Sequence, residues 1–288
     1  MHGARKIIVH GGLHKTATTF MQNSVFPLWE GLAFSSFESL NYTLKKMHDK
    51  DLLISNEGVF GSPWYPWDGS FSTTWAENRL QCLQSLKRFT CVDGMIVSFR
   101  KHSDLLKSLY CQYVQEGGYE RFEKFFDLKH NSGLIKKEDI VFEDIISVIE
   151  KTFGIKAFVF FSEELKTDLF NLVSDLEKYI GGSKPEIKKI IFSRNNESIG
   201  HYQLLVMRNI NRYSRSILNE RGFLPLHSIK LAKIGFDMRT VFQKKLAFIS
   251  KKKFSLDSDV VREIDTYYRS DFIFAKKYSD KLRGSYAR

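Results

Sequence analysis

The chain has 288 residues, 43% of them hydrophobic and 27% charged, which is enough for a full α/β core and excludes a disordered or fibrous protein. No window approaches the roughly 18 uninterrupted apolar residues of a membrane span. The opening MHGARKIIVHGG runs straight into a strand pattern, so we expect no signal peptide. Cys82, Cys91 and Cys111 are odd in number and lack C-x-x-C spacing, so we expect reduced thiols in a cytoplasmic protein. The net charge of +11 is unevenly spread. Lys184 to Arg288 hold 23 Lys and Arg against 10 Asp and Glu, or +13, which leaves the first 183 residues at −2, the difference between +11 and +13. A basic region of this kind either meets an acidic glycan, membrane surface or nucleic acid, or forms a solvated helical face.

In chain order, Ile7, Ile8 and Val9 form the β-branched run of a buried parallel strand. Gly11 and Gly12 then permit a tight turn and close backbone approach to a ligand. Lys15, Thr16, Thr18 and Thr19 lead into a predicted helix, TTFMQNSVF, that ends near Pro27. A strand, a glycine turn and a helix start carrying Lys and hydroxyls make an anion site; the bland alternative is a turn that merely packs strand on helix. The ATP-type loop G-x-x-x-x-G-K-[ST] has Gly directly before Lys, whereas here His14 takes that place and Gly11 lies only four residues before Lys15.

Residues 50 to 58, KDLLISNEG, read as a second strand ending at Glu57. Residues 59 to 75 are rich in Gly, Pro and aromatics, with Trp64, Tyr65, Trp67, Phe71 and Trp75, and suit either a substrate lid or a plug on the core. WAENRLQCLQSLKRF has helical spacing, and GMIVSFR (94 to 100) is a third strand. A helix follows with Ser103 as N-cap, an apolar stripe from Leu105 to Val114, and Gly117 and Gly118 as its stop. A short aromatic helix and polar loop fill 119 to 134, and IVFEDIISVIEKTFG is an amphipathic helix. KAFVFF (156 to 161) is a fourth strand, and SEELKTDLFNLVSDLEKYIGG one capped helix. The alternation implies an α/β fold with a central parallel sheet and helices on both faces. Beyond Gly182 come helices in HYQLLVMRNINRYSRSI and SDVVREIDTYYRSDFIFAKKYS, with the basic KKLAFISKKKF between them. We therefore expect one domain over 1–288, with an α/β nucleotide-binding core (1–183) and a basic, mainly helical extension (184–288).

A second constellation stands at the third strand. MIVSF ends in Arg100, and Ser108 lies eight residues on, inside the next helix. A guanidinium offers forked donors to a phosphate and a serine hydroxyl adds another; taken singly, Arg100 is also a candidate surface ion pair and Ser108 a neutral helix position. Together with H-x-G-x-x-K-T-x-T-T from His10 to Thr19, the pair closely resembles the phosphate-binding elements of sulfotransferases that use 3′-phosphoadenosine 5′-phosphosulfate (PAPS) as donor. FVFFSEELKTDLFNLVSDLEKYIG, RNNES (194 to 198) and YYRSDFIFAKKYS are weaker echoes of the same family, in its bacterial form. The family's Arg-x-Pro after this strand is missing, since His102 stands where Pro would be.

The resemblance implies a P-loop-like three-layer fold and transfer of a sulfuryl group from PAPS to an acceptor hydroxyl or amine. It assigns Gly12, Lys15, Thr16, Ala17, Thr18 and Thr19 to the 5′-phosphosulfate, Arg100 and Ser108 to the 3′-phosphate, and Asn196 and Ser198 to the vicinity of the nucleotide. Lys15 would neutralise charge on the leaving phosphate, with no metal required. The base would be Glu57, with His14 as rival; His10, at the strand end, reads as a core histidine. The acceptor would be a glycan, a glycolipid or a small alcohol, including anionic ones, and not a nucleic acid; the basic C-terminal third leaves room for peripheral membrane contact. The competing readings are a P-loop-type nucleotide kinase, and a basic module for nucleic acid or anionic lipid.

Overall fold

The computed structural model describes residues 5–36, 50–64, 74–190, 199–226 and 252–285. Five parallel strands form one sheet: β1 (Ile7–Gly12), β2 (Leu32–Ser36), β3 (Asp51–Ser55), β4 (Gly94–Phe99) and β5 (Ala157–Phe161), in the order β2-β3-β1-β4-β5. β1 lies between β3 and β4, with His10 opposite Ser55 and Gly12 opposite Ser98. The apolar runs reflect burial on both faces, since β4 and β5 are buried along their whole length. β2, in GLAFSS, adds a strand to the four expected. At five residues it is as long as β3 and β5, but its Ser35 and Ser36 interrupt the apolar pattern.

The two faces carry different helices. On one, Ile8, Leu53, Ile96, Phe158 and Phe160 pack against Met21, Val25 and Phe26 and against Leu172, Val173 and Leu176. The first group belongs to a helical run, α1, that is α over Thr18–Phe20, π over Met21–Val25 and 3-10 over Phe26–Leu28. Pro27 accounts for the last change, because it has no N–H to donate and its ring excludes a regular α turn; the π segment lets Met21, Val25 and Phe26 all reach the sheet. The second group belongs to a helix at Leu169–Ile180. The expected single helix over 162–182 breaks at Asp168, whose φ of −152° and ψ of 44° are not helical, leaving a separate turn at Glu164–Thr167.

The opposite face carries α2 (Trp75–Phe89), which starts with a Thr74–Glu77 capping box, and a helix at Phe142–Phe153. A C-terminal helix at Arg269–Ser285 packs on β5 and on Phe142–Phe153, with the Ser279 hydroxyl donating to the Val159 carbonyl. The tail read as one helix is therefore two, Ser258–Tyr267 and Arg269–Ser285. The sheet and these layers make the expected three-layer α/β architecture. The helix after β4, α3 (His102–Gln115), starts at His102, so Ser103 sits inside its first turn and is not the N-cap. His102 is buried between the rings of Phe142 and Tyr268 at 4.0 and 4.2 Å, and its Nε2 lies 3.0 Å from Asp271.

The chain forms two compact units. One comprises residues up to His102, Lys137–Phe192 and Tyr267–Arg288 and holds the sheet; the other comprises Ser103–Lys136 and Ser193–Thr266. In the second, α4 (His201–Asn211) buries Gln203, Leu204, Met207 and Asn211. No helix among the described residues is long and apolar enough to cross a membrane.

Candidate functional site

In an open parallel sheet, ligands bind beyond the carboxyl ends of the strands where the connections part to opposite sides. The order β2-β3-β1-β4-β5 puts that point between β1 and β4, since the chain leaves β1 toward β2 and leaves β4 toward β5. The loop after β1 and the residue ending β4 are the two places singled out from sequence.

The loop after β1 has an unusual backbone. Lys15 and Ala17 have φ of +68° and +70°, while Thr16 between them does not. A left-handed conformation costs an L-residue about 1–2 kcal/mol, and two such residues in three are kept only where the surroundings enforce them. Alternation of hand curls successive amides toward a common point and makes an anion-binding concavity. Phe20 and Met21 N–H donate to the Ala17 carbonyl, which starts α1 directly from this curl.

Gly12 is required for space, its φ not being positive. A Cβ there would stand 2.2 Å from Ser98 Oγ, 2.7 Å from Thr16 Oγ1 and 2.9 Å from the Ser98 carbonyl oxygen. Thr16 is fully buried; its hydroxyl donates to the Leu13 carbonyl at 2.5 Å and lies 2.7 Å from Ser98 Oγ. Thr16 is thus a brace between loop and sheet. Thr18 is also buried, and its hydroxyl has no hydrogen-bond partner among the described residues. Lys15 and Ala17 are half-buried and Thr19 is exposed. Arg100 closes the gap between the strands: its Nη1 donates to the Lys15 carbonyl at 3.3 Å. Two stretches 85 residues apart are joined here.

His14 and Glu57, rivals for one role in the sequence, are neighbours. His14 Nδ1 lies 3.5 Å from Glu57 Oε2, and His14 Nε2 lies 3.2 Å from the Gly61 carbonyl. A carbonyl only accepts, so Nε2 donates to Gly61, while Nδ1 faces the carboxylate. Glu57 opens the short 3-10 turn Glu57–Phe60 after β3, capped by the Asn56 side chain. Its side chain is 33% exposed against 16% for His14. The ends of the aromatic segment support this corner. Phe60, Trp64 and Trp75 are buried, Trp75 Nε1 donates to the Phe60 and Gly61 carbonyls at 2.9 and 3.3 Å, and its ring lies 5.9 Å from that of His14. Residues 65–73, with Tyr65, Trp67 and Phe71, lie outside the described residues.

His10 is fully buried between Phe26 and Phe160, with Nδ1 2.7 Å from Ser55 Oγ and Nε2 without a partner among the described residues. Burial disfavours the imidazolium and lowers its pKa from 6.5 to about 3, so it stays neutral under the loop. Ser108 is half-buried in α3. Asn196 and Ser198 lie outside the described residues. Sequence reasoning passed over Ser98 and Ser55, the hydroxyls that brace Thr16 and His10 from the strands beside β1. A lone serine at the end of each apolar run, MIVSF and LLIS, is the signal that could have found them.

No family model matches the chain, and no curated protein matches it by sequence. Among solved structures, the crystal structure of a sulfotransferase from Alicyclobacillus acidocaldarius is similar at 11% identity and a TM-score of 0.43, over 67% of this chain and 88% of that one. Likeness of that degree says nothing about chemistry, which has to come from the residues of the site.

Proposed function

We propose that the chain is a PAPS-dependent sulfotransferase acting on a hydroxyl or amine of a glycan, glycolipid or small alcohol. What supports this most is the bond from Arg100 to the Lys15 carbonyl at the switch point. An anion site for a single phosphate needs only the loop after β1. A donor with phosphates at both its 5′ and 3′ positions needs cations at the ends of two neighbouring strands, and Lys15 and Arg100 stand there. The loop also fits a phosphosulfate in kind: Lys15 and Ala17 make an anion concavity, Gly12 lets the loop lie against Ser98 of β4, and the Thr18 hydroxyl has no partner among the described residues.

Bound PAPS supplies a sulfuryl group for an in-line displacement with a loose, phosphoryl-like transition state. Within that reaction Lys15 offsets charge growing on the leaving phosphate. Thr16 holds the loop to Ser98, while Thr18, Thr19 and the loop amides cradle the 5′ end. Arg100, and Ser108 on the next helix, take the 3′-phosphate; Asn196 and Ser198 are assigned to the nucleotide by resemblance alone. Glu57 takes the acceptor proton, and His14, with Nε2 committed to Gly61, orients it.

Calorimetry with adenosine 3′,5′-bisphosphate, AMP, ATP–Mg²⁺ and an oligonucleotide tests the reading. The bisphosphate should bind roughly ten- to hundredfold more tightly than AMP, the worth of about 1.5–3 kcal/mol for a charged partner, and Arg100→Gln should erase that gap. Equal affinities would refute the donor assignment. Preference for ATP–Mg²⁺ would favour a kinase, and preference for the oligonucleotide a nucleic-acid module.

A further inference from the structure

The loop after α4, residues 212 to 226 of the second unit, is built inside out. Its interior is polar. Asn219 is buried, and its Nδ2 donates to the carbonyls of Asn211, Arg212 and Ser214 at 2.9, 3.0 and 3.2 Å. Asn211, fully buried, donates from Nδ2 to the carbonyls of Val114 and Gly118 at 2.6 and 2.9 Å. Backbone bonds from Arg215 N to the Leu224 carbonyl and from Phe223 N to the Tyr213 carbonyl close the loop. Gly222 lies so near Ser214 that a Cβ would approach its carbonyl carbon to 2.2 Å. This is a rigid loop held by side-chain amides, and its apolar side chains face outward: Phe223 is 74% exposed, Ile217 56% and Tyr213 53%. Tyr202 and Val206, one turn apart on α4, are exposed as well. A loop ordered by its own hydrogen bonds gains nothing from displaying these residues to water.

The charge is equally one-sided. Residues 199–226 hold four arginines, Arg208, Arg212, Arg215 and Arg221, against the single acid Glu220, with no lysine. Arg212, Arg215 and Arg221 are exposed, while Arg208 donates to the Tyr110 hydroxyl at 3.3 Å. Arginine is the cation that matches phosphate geometry. Aromatic rings with arginines suit the headgroup region of a bilayer, and aliphatic side chains suit the level just below it.

We propose that the exposed side chains of Tyr202, Val206, Tyr213, Ile217 and Phe223, with those of Arg212, Arg215 and Arg221, dock on a membrane surface that bears anionic lipids. Two other occupants fit the observations less well. A single-stranded nucleic acid would use the aromatics and arginines, but bases gain nothing from stacking on Ile217 or Val206. A second copy across a two-fold axis would set the arginines of one patch against those of the other. The rigid loop is prepaid in conformational terms, so docking orders little that is not already ordered. The inference does not depend on the sulfuryl-transfer reading.

The test is co-sedimentation of the full chain with vesicles of phosphatidylcholine alone and of phosphatidylcholine containing phosphatidylglycerol. Binding is expected only to the anionic vesicles and should fall as salt is raised. Arg212→Gln and Arg215→Gln should each weaken it about fivefold, the effect of about 1 kcal/mol per surface cation. Ile217→Ser with Phe223→Ser should weaken it more than tenfold, with an unchanged far-ultraviolet circular dichroism spectrum and urea midpoint as the sign that the chain is folded. Four results would overturn the proposal: no binding to anionic vesicles, equal binding to neutral ones, undiminished binding by the Ile217/Phe223 variant, or binding to oligouridylate in place of vesicles. A dimer in light scattering that the same variant abolishes would assign the face to a second copy and overturn it too.

Discussion

Gly12→Ala probes the join between β1 and β4 on which the candidate site is built. The glycine has no positive φ, so the new methyl acts by volume alone. It meets Ser98 Oγ at 2.2 Å and Thr16 Oγ1 at 2.7 Å, and these two hydroxyls are bonded to each other at 2.7 Å. Overpacking a filled core costs about 1–3 kcal/mol. Pushing the hydroxyls apart forfeits a further bond of about 0.5–1.5 kcal/mol, which together predicts a loss of about 2–4 kcal/mol. Ser98→Ala alone should cost only the bond. Because it removes the nearest obstacle, the double variant should be less destabilised than the sum of the two, with a coupling of at least about 1 kcal/mol. Rescue should be incomplete, since the Ser98 carbonyl stays 2.9 Å from the new Cβ. Urea melts of the four proteins measure the cycle. A loss under about 0.5 kcal/mol for Gly12→Ala, or strict additivity, would refute the packing and the role of Gly12 in keeping the loop against the sheet.

Lys15→Ala should lower sulfuryl transfer at least about 100-fold while weakening bisphosphate binding far less; single-turnover assays alongside calorimetry separate the two, and near wild-type turnover would reduce the loop to a structural turn. Glu57→Gln should cost about 10²–10⁴ in turnover as loss of a base, and His14→Asn less, with donor affinity unchanged in both; the reverse ranking in a transfer assay would make His14 the base. His10, with a folded pKa of about 3 against 6.5 unfolded, binds no proton in the folded chain over that interval while the unfolded chain does. Stability that is complete above pH 6.5 should therefore drain as pH falls toward 3, and between pH 6.5 and 5 His10→Gln should lose up to about 2 kcal/mol less than wild type; parallel urea midpoints across that range would contradict a buried neutral histidine.

How much of this was legible in the amino-acid order depends on the range of the interaction. The β-branched run at Ile7–Val9, the apolar runs at Met95–Phe99 and Phe158–Phe161 and the helices between them follow from local pattern, because strands buried on both faces leave little room for polar residues. The loop was legible for the same reason, in that two glycines, a lysine and three threonines in nine positions carry their chemistry wherever they fold. β2 was not, since five residues with Ser35 and Ser36 become a strand only once Asp51–Ser55 offers its edge. The breaks at Asp168 and Tyr268 also escape periodicity, because the residues on either side keep a helical apolar spacing. Nothing in the sequence announces that Lys15 and Ala17 take left-handed backbone conformations, for these residue types avoid them on their own and hold them only under the constraint of a packed sheet. The pairing of His14 with Glu57, and of Arg100 with the Lys15 carbonyl, belongs to the strand order. Placing β3 and β4 on either side of β1 brings residues 43 and 85 positions apart to one crevice, and that order is decided by the burial of both faces of the whole sheet, which no single stretch of the chain contains.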